Sequence, residues 1–66
     1  MHVQANGREV EMPDGARLTD LLDRLGLGAR WVVAEVNGEA VDRQAMSGRS
    51  LAEGDRVELV RAVAGG

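Results

Sequence analysis

The 66-residue chain contains no cysteine, phenylalanine, tyrosine or lysine, one proline, one histidine and a single aromatic residue, Trp31. Without cysteine there is no disulfide framework and no thiolate metal site to supplement a small core. A chain of this length forms one domain and buries roughly 60% of the surface its unfolded form exposes, so its 44% apolar content has to suffice. No apolar run approaches a membrane span, and the N-terminus lacks the charged and apolar regions of a secretory signal, so a cytoplasmic location is expected. Eight arginines and eleven acidic residues are interspersed, with a net charge of −3. No basic stripe results, which argues against nucleic acid as a partner. A protein with a basic patch fits better. The missing lysines have a plain explanation in a coding preference for arginine.

What is present is strongly patterned. Met1, Val3 and Ala5 alternate with His2 and Gln4, and Val10 and Met12 alternate with Glu9 and Glu11. Asn6-Gly7 between them is suited to a tight hairpin turn because both residues tolerate positive φ. Pro13-Asp14-Gly15 ends the second strand. Leu18, Leu21, Leu22 and Leu25 follow at i, i+3, i+4 and i+7, which predicts a helix with all four on one buried face and Thr19, Asp20, Asp23 and Arg24 in water. Gly26 supplies its C-terminal stop, while Arg17 stands where a Ser, Thr or Asp cap is expected. Trp31 to Val36 is β-rich, Asn37-Gly38 makes a second tight turn, and Ala40-Val41 forms a short return strand. Arg43 to Ser50 reads as polar and irregular, with Leu51 anchoring it to the core. Glu53-Gly54-Asp55 turns into a last strand, Arg56 to Arg61.

The order hairpin, helix, strand, short strand, strand predicts an α+β fold. One helix covers a mixed four- to five-stranded sheet, with the first and last strands side by side at its centre. This is the ubiquitin-like β-grasp architecture. It divides the chain into a domain, residues 1–61, and a flexible C-terminal tail, residues 62–66, ending in diglycine.

Enzyme constellations are missing. His2 lies on the solvent side of its strand with no second ligand type nearby, so a solvated histidine is favoured over a base or metal ligand. The Glu9/Glu11 and Asp20/Asp23 pairs fall on solvent faces, whereas acid–base work needs a pocket that shifts pKa. Ser47 and Ser50 have no base to activate them, and the glycines form no phosphate loop. Trp31 fits partial burial at the sheet end, with a partner-contact anchor as the alternative. Arg43 is a surface arginine or a carboxylate-binding contact.

The terminus remains. At ordinary glycine usage a chain ends Gly-Gly by chance about once in 200, and small-residue termini are common, so the pair alone is weak evidence. Its place directly after a core strand strengthens it. A C-terminal carboxylate, with pKa ~3.5, is ionised and inert at neutral pH, and adenylation by ATP makes it an electrophile that sulfur can attack. Fully extended, residues 61–66 reach up to ~20 Å. Glycines at the last two positions present no Cβ to the walls of a narrow slot.

The MHVQANGREVEM hairpin, the LTDLLDRLGL helix, VVAEVNGEAVDR and LAEGDRVELVRAVAGG together resemble the thiamine-biosynthesis sulfur carrier proteins, the ThiS family, nearly end to end. The resemblance implies a protein co-substrate rather than an enzyme, monomeric when free, with no bound cofactor or metal. An adenylyltransferase related to ubiquitin-activating enzymes, using ATP and Mg, would activate Gly66. A cysteine desulfurase would supply the sulfur, and thiazole synthase would receive it from the thiocarboxylate. On this reading Ala64 and Gly65 thread the partner's active site, and Val60, Ala62 and Val63 offer apolar docking surface. The absence of lysine then gains a second reading, namely that an activated terminus meets no amine on its own chain. Arg17, in place of a capping Thr or Ser, and Met46, where relatives often carry an aromatic, depart from the family pattern. Two other readings stay open: the small subunit of molybdopterin synthase, and a β-grasp interaction module with an incidental Gly-Gly end.

Overall fold

The computed structural model describes residues 1–61. Five strands form one sheet: β1 (His2–Ala5), β2 (Arg8–Glu11), β3 (Val32–Val36), β4 (Glu39–Val41) and β5 (Arg56–Arg61). Their order across the sheet is β2-β1-β5-β3-β4, so the last strand lies at the centre. β1 and β5 run parallel, with Gln4 opposite Arg56 and Ala5 opposite Val57, and every other pairing is antiparallel. The expected architecture is present, with five strands.

Both hairpins turn as the Asn-Gly dipeptides predict. Asn6 and Gly7 have φ of 52° and 81°, and Asn37 and Gly38 have 52° and 86°. Positive φ at both central residues gives the turn the same twist as the strands it joins. One face of the sheet is then sealed by α1 (Leu18–Arg24), whose Leu18, Leu21 and Leu22 are buried against Val3, Ala5, Ala34, Val36, Val57 and Leu59.

Two expectations are corrected. Leu25 does not share the buried face; it is 39% exposed. The helix stops one residue earlier because Gly26 takes φ 72°, and the Gly26 N–H bonds to the Asp23 carbonyl while the Leu27 N–H bonds to that of Leu22. This paired C-terminal motif turns the chain sharply and brings Leu27, rather than Leu25, against the core. The segment after β4 is also not irregular. Arg43–Gly48 is a 3-10 helix that packs on α1 and buries Met46, a second anchor beside Leu51. A lone apolar residue in a polar run carries no period of its own, which is why the sequence pattern leaves it undecided.

The missing N-cap is half replaced. Asp20 reaches back to accept the Arg17 N–H at 2.8 Å, as the third helical residue does in a capping box, but a guanidinium has no acceptor to return the bond. Arg17 instead donates to the Ser47 carbonyl at 3.1 Å, tying the helix start to the 3-10 segment. The neighbouring Leu18 N–H to Arg49 and Leu51 N–H to Ala16 backbone bonds reinforce the same junction.

Candidate functional site

β5 is the strand from which the diglycine segment continues, and the fold fixes it from several directions. Val57 and Leu59 point into the core, while Arg56, Glu58 and Val60 point to solvent. On one side β3 pairs with it from Val36–Val57 through Val32–Arg61. On the other side the β1 backbone donates from Gln4 to Asp55 and from Asn6 to Val57.

Side chains of the two turn asparagines complete the frame. Asn37 Oδ1 accepts the Arg56 N–H at 2.9 Å and its Nδ2 donates to Asp55 Oδ1 at 2.9 Å, fixing the start of the strand. Asn6 Oδ1 accepts the Leu59 N–H at 2.8 Å while its Nδ2 donates to the Leu59 carbonyl at 3.1 Å, fixing the strand near its end. Neither role has a local sequence signal, because both partners lie in another hairpin or strand. Asn-Gly predicts the turn and says nothing of what the amide touches.

The solvent face carries a second feature that single-strand reading misses. Val60, 62% exposed, lies opposite Val33, 54% exposed, and two pairs further along, on the same face, Glu58 lies opposite Glu35. Two valines and two carboxylates thus form a small apolar patch with an acidic border. Neither glutamate takes part in an ion pair among the described residues. Trp31, immediately before β3, is half exposed, with the Arg30 guanidinium 5.9 Å from its ring centroid. Ala62, Val63, Ala64, Gly65 and Gly66, the remaining predicted docking, threading and reactive residues, lie outside the described residues.

The other candidates stay apart. His2 Nε2 is 3.6 Å from Glu11, both on the solvent face, and no group of three or more His, Asp or Glu side chains able to hold a metal occurs among the described residues. Ser47 and Ser50 are exposed. An open groove of about 520 Å³, lined by Asn6, Arg8, Glu9, Val10, Leu27 and Leu59, holds a single carboxylate, that of the exposed Glu9, with no histidine, serine or second carboxylate among its lining residues. No described helix is long and apolar enough to cross a membrane.

Residues 2–66 match the model of the ThiS family, a match that covers the sheet, the helix and the diglycine. The chain belongs to the ThiS family. Its fold is similar to the crystal structure of the thiamine biosynthesis protein ThiS from Geobacter metallireducens, at 30% identity and a TM-score of 0.83 over 100% of both chains. It is likewise similar to the solution structure of a thiamine biosynthesis protein from the same organism, at 32% identity and a TM-score of 0.79, covering 100% of this chain and 88% of that one. No curated protein matches it. Membership of the ThiS family and these two likenesses support a sulfur-carrier role.

Proposed function

We propose that the chain is the sulfur carrier for the thiazole of thiamine, with the carboxylate of Gly66 as its working group. The observation that carries this reading is that the family match continues through Gly65-Gly66, directly beyond the central strand of the sheet. A carboxylate oxygen attacks the α-phosphorus of MgATP on an adenylyltransferase, pyrophosphate leaves, and the acyl-adenylate is electrophilic where the free carboxylate was not. A desulfurase draws sulfur from cysteine as a protein persulfide, whose terminal sulfur attacks the acyl carbon as AMP departs. A thiol then attacks the inner sulfur of the resulting acyl disulfide, forming a new disulfide and releasing the thiocarboxylate. The resulting thiocarboxylate is a soft nucleophile that thiazole synthase consumes, returning the carboxylate.

Each part of the chain has a physical task in this sequence. Pairing with β3 as far as Val32–Arg61, and the Asn6 bridge to Leu59 on the other side, hold the root of the reactive segment. Residues 65 and 66 lack a Cβ, so a backbone-wide slot suffices in the partner. Val60 with Val33, and Ala62 and Val63 beyond, supply the apolar contact, and the glutamate border favours an approaching basic surface.

The test is intact mass after incubation with MgATP, cysteine, a cysteine desulfurase and the adenylyltransferase of the same organism. Exchange of one oxygen for sulfur, located by fragmentation to Gly66 and lost on deleting that residue, is the expected result. An unchanged mass, with the activating enzyme shown competent on another carrier, would instead favour an interaction module.

A further inference from the structure

The parallel β1–β5 ladder outlasts the backbone of β1. Gln4 N–H donates to Asp55 at 2.8 Å and Asn6 N–H to Val57 at 2.9 Å, and then the backbone swings away through the positive-φ turn at Asn6-Gly7. The next step of the ladder falls at Leu59, where no β1 backbone remains. The Asn6 side chain takes its place: one amide group accepts from the Leu59 N–H and donates to the Leu59 carbonyl, pairing both groups that a continued parallel strand would have met with two separate residues.

Few residues satisfy both demands. The conformation at φ 52° favours Gly, Asn and Asp. Of these only asparagine offers a donor and an acceptor on one short planar group. Glycine offers neither and aspartate only acceptors. The turn chemistry therefore explains why position 6 takes a residue tolerant of positive φ, but not why its side chain reaches across to the last strand.

We infer that Asn6 is a positioning residue for the chemistry at Gly66: by bridging both backbone groups of Leu59 it fixes the direction in which the chain leaves Arg61. This rests on the carrier reading. A partner that grips the outer face of β5 and encloses the diglycine holds the segment at two points, so the angle at its root decides whether it spans them without distortion. Once a partner holds five residues extended over ~17 Å, a swing of about 10° at the root displaces the tip by about 3 Å. Misplacement of a reacting atom by 1 Å is enough to cost up to ~100-fold in rate. Asn37 ties down the other end of β5, accepting from the Arg56 N–H and donating to the Asp55 carboxylate, remote from that exit.

The experiment compares Asn6→Gly, Asn6→Asp and Asn37→Gly, since glycine keeps either turn and deletes only the side-chain bridge. Three quantities are read: native-state hydrogen exchange of the Leu59 amide, affinity for the adenylyltransferase, and the single-turnover rate of Gly66 adenylation at saturating enzyme and MgATP. In Asn6→Gly, Leu59 exchange rises and adenylation slows about 10-fold at saturation, with affinity within about 3-fold of wild type. Asn6→Asp, which keeps the acceptor and loses the donor, is also slowed. Asn37→Gly adenylates at the wild-type rate. Equal slowing in both glycine variants would reduce the effect to general stability and overturn the inference, as would a wild-type rate in Asn6→Gly or Asn6→Asp. A wild-type chain that is not adenylated by a competent enzyme would instead defeat the carrier reading, and this inference with it.

Discussion

Strands β3 and β5 set valine opposite valine twice, three residues apart. Val36 and Val57 meet on the inner face at 0% and 1% exposure, whereas Val33 and Val60 meet on the outer face at 54% and 62%. Burial of a valine side chain stabilises by about 1.5–3 kcal/mol, so the inner pair is part of what folds the domain. The outer pair contributes only the smaller cross-strand term, about 0.2–1 kcal/mol, and leaves apolar surface in water. β-branched residues suit exposed strands regardless, so one such valine would need no explanation. Two in register, bordered by two glutamates in register, make a patch. Identical residues on the same strands thus separate into those the fold buries and those it leaves exposed.

Substitutions on the two faces should therefore be separable by measurement. The largest effect is expected from Leu21→Ala under the inner face, a loss of about 3 kcal/mol in urea unfolding; a loss below about 1 kcal/mol would mean the helix does not seal that face. Met46→Ala should cost about 2 kcal/mol in the same assay, because its side chain is 1% exposed between the 3-10 segment and α1. Val60→Glu reverses the pattern: stability changes by less than about 1 kcal/mol, while affinity for the adenylyltransferase falls about 10-fold, or ~1.4 kcal/mol. Unchanged affinity would remove the outer patch from the interface. Glu58→Gln has the smallest effect, a gain of about 0.3 kcal/mol from relieving its opposition to Glu35, which should vanish in 1 M salt if repulsion is the cause.

The contrast between faces also marks what a single strand of sequence can reveal. Inner residues are legible because period-two alternation and the leucine spacing report burial directly, and the Asn-Gly and Gly26 signals fix the turns between them. Leu25 failed because helical spacing assumes the helix continues, and the left-handed residue after it decides otherwise. Met46 was hidden because one buried residue makes no pattern. On the outer face Val60 is singled out by what the family resemblance implies for the exposed side of the last strand. Its partner Val33, the opposed glutamates and the amide bridges of Asn6 and Asn37 all depend on register between strands distant in sequence, which no local pattern encodes. The residues beyond Arg61 stand out by the chemistry of a terminal diglycine, by its place directly after the last core strand and by the family resemblance.

Parallel alignment of β1 and β5 has a mechanical meaning as well. β1 begins at His2 and β5 ends at Arg61, so tension applied between these two ends acts along both strands in opposite directions. Backbone hydrogen bonds run across the strands, so such a load is shared among them in shear rather than breaking them one after another from an end. A pull on the chain beyond Arg61, opposed at the start of β1, therefore loads the sheet in its most resistant direction.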